Sequence, residues 1–172
     1  TAVTPTRRGA YVANADARQV AWIALPAGPV TRRIDVPAEP TGLVLSPDGN
    51  KLIVTCAAPR STVLVMDAAP GQVLAAIPAG HTAMSPAVTP DGKWLYVCNR
   101  FHNDVSVIDL AAGAEVVRLK AVREPVAAAV TPDGAAVFVA NHLPDDRLDG
   151  YPVSAMVTVI DVQTRQTAAI RL

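Results

Sequence analysis

Three histidines, His81, His102 and His142, are the whole imidazole complement of this 172-residue sequence. An imidazole gains or loses its proton near neutrality and ligates transition metals, so these residues are the first place to look for chemistry. They sit among other polar groups: Arg123 and Glu124 precede one apolar segment, and Asp145, Asp146, Arg147 and Asp149 crowd the stretch after His142. The three aspartates could offer oxygen ligands to calcium, but they lack the alternating acids and glycine of a calcium loop. A solvated, turn-rich excursion whose acids pair with Arg147, or failing that a contact with a partner, accounts for them better than a metal. No His-x-x-x-His or paired Cys/His motif supports zinc. Nor is there a glycine-rich phosphate loop, a nucleophile elbow, or a Cys-x-x-Cys-His sequence for covalent haem. Ser46 and Ser85 have no neighbouring base to activate them. The residues therefore predict no catalytic set, no metal and no cofactor, and the polar cluster reads as a candidate binding face.

What positions these residues is a repeat. The turn Thr89-Pro90-Asp91-Gly92 recurs as Ser46-Pro47-Asp48-Gly49, 43 residues earlier, and as Thr131-Pro132-Asp133-Gly134, 42 residues later. Proline suits the second position of a type I turn, aspartate the third, and glycine the left-handed residue that closes the hairpin. A second landmark keeps the same step: Tyr11-Val12-Ala13-Asn14, Ile53-Val54-Thr55-Cys56, Tyr96-Val97-Cys98-Asn99 and Phe138-Val139-Ala140-Asn141. A third is Val65-Met66-Asp67, Val107-Ile108-Asp109 and Val159-Ile160-Asp161, with Trp22-Ile23-Ala24-Leu25 as a worn copy. Four short apolar or alternating segments in a period of about 40 to 45 residues predict an all-β propeller with four-stranded antiparallel blades. Its four blades cover residues 1–37, 38–79, 80–121 and 122–172, as one domain or a fragment of one.

A Tyr-Val-x-Asn strand, a Val-Ile-Asp strand and a Ser/Thr-Pro-Asp-Gly turn at this period resemble the YVTN-type β-propeller repeats of surface-layer and periplasmic proteins, which are related to lactonase-type propellers. The resemblance implies a ring of about seven blades, which needs about 300 residues at this period, so these four blades are expected to belong to a larger propeller. A closed four-bladed ring and an eight-bladed ring shared by two chains are the alternatives. The resemblance also implies a periplasmic or extracellular location. The sequence starts at Thr1 without a charged-then-apolar leader, as it would after removal of a signal peptide.

In an up-and-down blade, the loop leading into the inner strand and the loop between the second and third strands emerge on one face. That places Glu39, His81, Arg123 and Glu124 from the first set beside Asn14, Asp16, Arg100, His102, Asn103, Asp104 and His142 from the second. All three histidines are thus expected on one side, with the Pro-Asp-Gly turns on the other. The strongest departure from the repeat is on the histidine side: Asn99 and Asp109 are 10 residues apart, whereas Asn141 and Asp161 are 20 apart. The extra residues, His142 to Pro152, are where a function would attach to a repeat array. Val-Met-Asp and Val-Ile-Asp aspartates read as turn-formers between third and fourth strands.

Composition sets outer limits. Lys plus Arg equals Asp plus Glu at 15 each, which leaves no basic footprint for nucleic acid, and no apolar run reaches bilayer length. Cys56 and Cys98 fall one step out of register in their repeats and should point to opposite faces, as two buried thiols rather than a disulfide. The reading with most support in the residues is a non-catalytic scaffold that presents its loop face to a protein partner or to a second domain of the same protein. Open blade faces also offer a route to self-association. The alternatives carried by resemblance are the propeller part of a periplasmic redox or cytochrome-associated enzyme, a lactonase-like enzyme, and a surface-layer or adhesion module.

Overall fold

In the computed structural model, residues 2–3, 9–26, 28–143 and 155–172 are described. They form four sheets, each of four antiparallel strands in chain order. The first takes β1 (Ala2–Val3), β2 (Gly9–Asn14), β3 (Gln19–Ala24) and β4 (Val30–Asp35). The second takes β5 (Glu39–Leu45), β6 (Lys51–Ala57), β7 (Thr62–Asp67) and β8 (Val73–Pro78), and the third β9 (Ala83–Val88), β10 (Trp94–Asn99), β11 (Asp104–Asp109) and β12 (Ala114–Lys120). The fourth takes β13 (Arg123–Val130), β14 (Ala136–Leu143), β15 (Met156–Asp161) and β16 (Thr167–Arg171). The first strands of successive sheets lie side by side, β1 against β5, β5 against β9 and β9 against β13. Sheets that radiate from a shared line of inner strands are the blades of a β-propeller.

Strand periodicity explains how the blades cohere. Successive side chains point to opposite faces, so a strand between two neighbours must be apolar on both. In β6, Ile53 joins Val63, Val65 and Ile77 under Leu95, Val97 and Ile108 of the third blade. Its neighbours Leu52, Val54 and Cys56 point the other way, with Met66, onto Tyr11 and Val20 of the first blade. A third core joins Tyr96, Cys98 and Val107 to Val137, Val139 and Ile160 of the fourth. The outermost strands alternate between exposed and half-buried residues, as in β12 and β4, because they have water beyond them.

Small residues line the inner strands because neighbouring blades approach closely there. A Cβ on Gly42 would stand 2.3 Å from Cδ of Pro86 and 3.0 Å from the backbone nitrogen of Ser85 on the next blade. Thr41 Oγ1 donates to the carbonyl of Ala83 at 2.6 Å, and the Ala128 N–H donates to Ser85 Oγ at 2.9 Å, so polar bonds also cross between inner strands.

The turns behave as their chemistry requires. Gly49, Gly92 and Gly134 have φ of 74°, 72° and 73°. The Asp91 carboxylate accepts from Thr89 Oγ1 at 2.6 Å and from the Lys93 N–H at 3.0 Å; these bonds hold its carboxyl below the ordinary value, the hydroxyl contributing most. Asp67, Asp109 and Asp161 cap the third-to-fourth turns, accepting from the backbone N–H groups of Ala69, Ala111 and Thr164 at 2.9, 2.8 and 2.7 Å.

Two placements differ from those expected. Glu39, Arg123 and Glu124 belong to inner strands rather than loops, and His142 and Leu143 extend β14. Pairing continues past a bulge near Pro40 and Pro125 to Glu39↔Ala57 and Arg123↔Leu143. Backbone ladders need no apolar side chains, so these solvent-facing ends carry no alternation in the sequence. β14 thus runs as far as Leu143. Asp145, Asp146, Arg147 and Asp149 lie outside the described residues.

At the crossing from one blade to the next, Asn99 is fully buried. Its Oδ1 accepts from the Gly80 N–H at 2.9 Å, while Nδ2 donates to Asp104 at 2.6 Å and to Ser106 Oγ at 2.7 Å. Asn99→Ala leaves that N–H and hydroxyl without their partner and should lower the unfolding free energy by about 1–3 kcal/mol, measured by urea denaturation. Cys56 and Cys98 are free and occupy different cores. Burial pushes their thiols up to about 11 and about 12. Neither should react with a thiol reagent at neutral pH until denaturant unfolds the chain; labelling at the native-state diffusion rate would contradict the buried placement.

Candidate functional site

The site is built where the second-to-third turn of the third blade meets the inner-strand starts of the third and fourth blades. Thr82 and Glu124, at the same position of their repeats, both have left-handed backbones, with φ of 53° and 51°. Each is pinned by the preceding blade: the Thr82 N–H donates to the Ala58 carbonyl at 2.9 Å, and the Glu124 N–H donates to Asn103 Oδ1 at 2.8 Å. Asn103 itself has φ of 56° and closes the turn that carries Arg100, Phe101 and His102. A strained conformation for a non-glycine residue persists only where its surroundings fix it, so Glu124 is held in place by neighbouring bonds.

Glu124 Oε2 collects the charges of this corner. Arg100 donates to it from Nε at 2.9 Å and from Nη2 at 2.8 Å, and His142 Nδ1 lies 3.2 Å away. The Arg100 guanidinium first, and the His142 ring second, hold the Glu124 carboxyl below its ordinary value. The cluster continues along the rim. Arg100 stacks over the Phe101 ring at 5.0 Å, and His81 meets that ring edge-on at 5.1 Å. The His81 N–H donates to His102 Nδ1 at 3.2 Å, and Arg118 Nη1 donates to the same nitrogen at 3.3 Å. With Nδ1 accepting both, the neutral His102 ring carries its proton on Nε2. His102, His81, Phe101, Arg100, Glu124 and His142 thus form one unbroken series across two blades.

Of the sequence-predicted residues, His81, His102, Glu124 and His142 are brought together, and Arg123 is exposed one residue before Glu124. Arg100 was legible as a loop residue; Phe101 was not singled out, being apolar. Its signal is an aromatic side chain, half exposed, in a turn between two cationic-capable residues. Among the described residues, no group of three or more His, Cys, Asp or Glu could hold a metal ion. The arrangement suits recognition: an aromatic plate flanked by guanidinium and imidazole groups, with one carboxylate orienting them.

The opposite face also holds a feature that sequence reasoning missed. Arg165, with φ of 60°, stands where Gly71 and Gly113 close the equivalent turns, and its guanidinium lies 4.8 Å from the Trp94 ring centroid. A cleft between the third and fourth blades is lined there by Trp94, Gly134, Asp161 and Arg165. An arginine in the glycine position of an otherwise regular turn is the signal that marks it.

Fold and site together define a β-propeller with one polar and aromatic rim. No protein-family model matches the chain, and no curated protein does. Among solved structures the chain is similar to a chain of Kuenenia stuttgartiensis hydrazine synthase, with 22% identity and a TM-score of 0.85. The similarity covers 99% of this chain and 48% of that one, so the chain spans about half the length of its structural neighbour.

Titration of the Glu124 carboxyl by NMR should give a midpoint below the ordinary glutamate value of about 4.3, and Arg100→Ala should move it upward. Because the folded-state value is the depressed one, the stabilisation is complete above the unfolded-state value. It disappears as pH falls through the folded-state midpoint. An unshifted midpoint in both proteins would remove Arg100 as the organising charge.

Proposed function

We propose that this chain is a non-catalytic propeller scaffold of the YVTN type that acts in the periplasm or outside the cell. It binds a protein partner, or a second domain of its own protein, through the rim from His102 to His142. The observation that carries this reading is Phe101. A half-exposed aromatic ring held between Arg100 and His81 has the composition of an interface hot spot. Arg100 is already oriented by Glu124, so little conformational entropy remains to be lost when a partner docks. The absence of a nucleophile, phosphate-loop or haem-attachment motif in the sequence favours binding over turnover.

A second reading is a propeller belonging to a redox enzyme, and the likeness to the hydrazine synthase chain favours it. One fold hosts many chemistries, so that likeness raises the question without assigning a reaction.

The test is capture from a native extract by the immobilised protein, compared with Phe101→Ser and Arg100→Ala variants whose folding is verified by circular dichroism. A protein identified by mass spectrometry on the parent should bind each variant about tenfold more weakly or worse. Equal capture by all three would sink the scaffold reading. A cofactor absorbance in the natural protein, or turnover of a lactone panel, would replace it with the enzymatic one.

A further inference from the structure

Two residues on the face of the Pro-Asp-Gly turns break the repeat, and they meet. Trp94, opposite Asp109, stands where Lys51 lies opposite Asp67 and Ala136 opposite Asp161, so the fold itself does not call for an indole there. Arg165 donates its N–H to the Asp161 carbonyl at 2.9 Å, as Gly71 and Gly113 donate to Asp67 and Asp109 at 2.9 and 2.8 Å. Glycine suits that left-handed position, whereas arginine, with φ of 60°, holds it against its preference. The two departures come from different blades, yet the Arg165 guanidinium lies 4.8 Å from the Trp94 ring centroid. Backbone strain of this kind is concentrated at ligand clamps and other working sites.

Around this pair the third and fourth blades leave a cleft of about 500 Å³ lined by Trp94, Asp161, Gln163 and Arg165. It adjoins a second space of about 390 Å³, lined by Pro90, Asp91 and Asp133 and again by Trp94. Both volumes lie in the range of small-molecule sites. The walls are held by their own turns: Asp91 and Asp133 accept from the hydroxyls of Thr89 and Thr131 at 2.6 and 2.5 Å, and Asp161 from that of Thr164 at 2.8 Å. A carboxylate has about four acceptor positions, so capacity remains toward the cleft. Among the described residues no carboxylate forms an ion pair with Arg165. The lining therefore offers donors, acceptors and an aromatic surface together.

We propose that this cleft binds a neutral saccharide, a hexopyranoside or a short chain of them. The lining itself selects the class. A cationic ligand would have to displace the guanidinium that already lies over the indole, and an anionic one would meet the carboxylates of Asp91, Asp133 and Asp161. Hydrogen bonds from their own turns hold all three carboxyls below the ordinary value, so they stay charged at neutral pH. A wholly apolar ligand would take water from these charges and return nothing. Sugar hydroxyls both donate and accept, so one ring can bridge Arg165 and Asp161 at once. Its C–H face packs on the part of the half-buried indole that Arg165 leaves open. This cleft is on the opposite side from the rim of His102 to His142 and does not depend on a partner docking there.

The experiment is an NMR titration of the 172-residue chain that follows the indole N–H signals of Trp94 and Trp22. The probes are methyl β-glucoside, methyl β-galactoside, N-acetylglucosamine and cellobiose, with arginine amide and sodium sulfate as cationic and anionic controls. At least one sugar should shift the Trp94 signal and leave that of Trp22 in place, with a dissociation constant of about 1 mM, ordinary for a ligand of this size. Arg165→Gly, which gives this turn the residue that Gly71 and Gly113 give the others, should weaken binding about tenfold and change the melting temperature by no more than about 3 °C. Trp94→Ala, followed at the Gly134 amide, should abolish it. No response to any of the sugars, or a response to arginine amide or sulfate alone, would overturn the proposal. Undiminished binding by the Arg165→Gly variant would overturn it too, because the contact over Trp94 would then be a brace between blades and nothing more.

Discussion

Every blade must hand the chain from its outermost strand back to the axis, and the polar backbone of that crossing has to be satisfied in a dry interior. At the third blade one side chain does this. Asn99 accepts the Gly80 N–H and donates to Asp104 and Ser106, tying the incoming crossing to its own blade's third strand. A Cβ on Gly80 would stand 2.5 Å from Asn99 Cγ, so glycine and asparagine are fitted to one another. Elsewhere the solution changes but the demand does not. Pro37 brings no N–H to the crossing into the second blade, and Cys56 receives that of Ala38 instead. At the fourth blade, Thr158 Oγ1 accepts from Val122 at 3.1 Å and is in turn bonded to Asn141. In the third blade, and through Thr158 in the fourth, the asparagine of the Tyr-Val-x-Asn strand thus serves to satisfy buried backbone.

This constraint also places the candidate site. With the crossing fixed, the residues just after it, Thr82 and Glu124, are forced into left-handed backbones against the previous blade's loop. Glu124 then faces Arg100 across the blade boundary and His142 across its own hairpin. A surface ion pair of this kind contributes little stability, since both partners keep contact with water. Its consequence is orientation: Arg100 is turned along the rim and over Phe101. The rim is therefore rigid where the backbone is pinned and exposed where the aromatic ring stands.

The fold was legible because its cause is local and repeated. A Pro-Asp-Gly turn sets a hairpin with its own hydrogen bonds, and the apolar runs of β6 and β10 require a neighbour on each face; both are written in contiguous residues. The grouping of His81, His102 and His142 followed from the same regularity, since up-and-down strands fix which loops share a side. What the sequence could not supply was convergence between loops. That Glu124 Oε2 would meet both Arg100 and His142 depends on a left-handed residue and on β14 running past Asn141. Neither leaves a hydrophobic pattern to read. The apolar partner of the cluster, Phe101, was hidden for the opposite reason: among polar loop residues an aromatic side chain looks like an accident until its neighbours are seen around it.

The scaffold and the rim answer to different physics, and this separates what shape can establish from what it cannot. Interdigitating Leu, Ile and Val between blades demand only small apolar volume at fixed register, so sequences 22% identical can superpose with a TM-score of 0.85. Nothing in that packing reaches the rim, where Arg100, Phe101 and the histidines project from turns that the cores merely hold apart. A different set of rim residues would leave the three inter-blade cores intact and change every contact available to a partner. The candidate site therefore differs from the scaffold in kind: the positions of its residues are dictated by the repeat, while their identities are free of it.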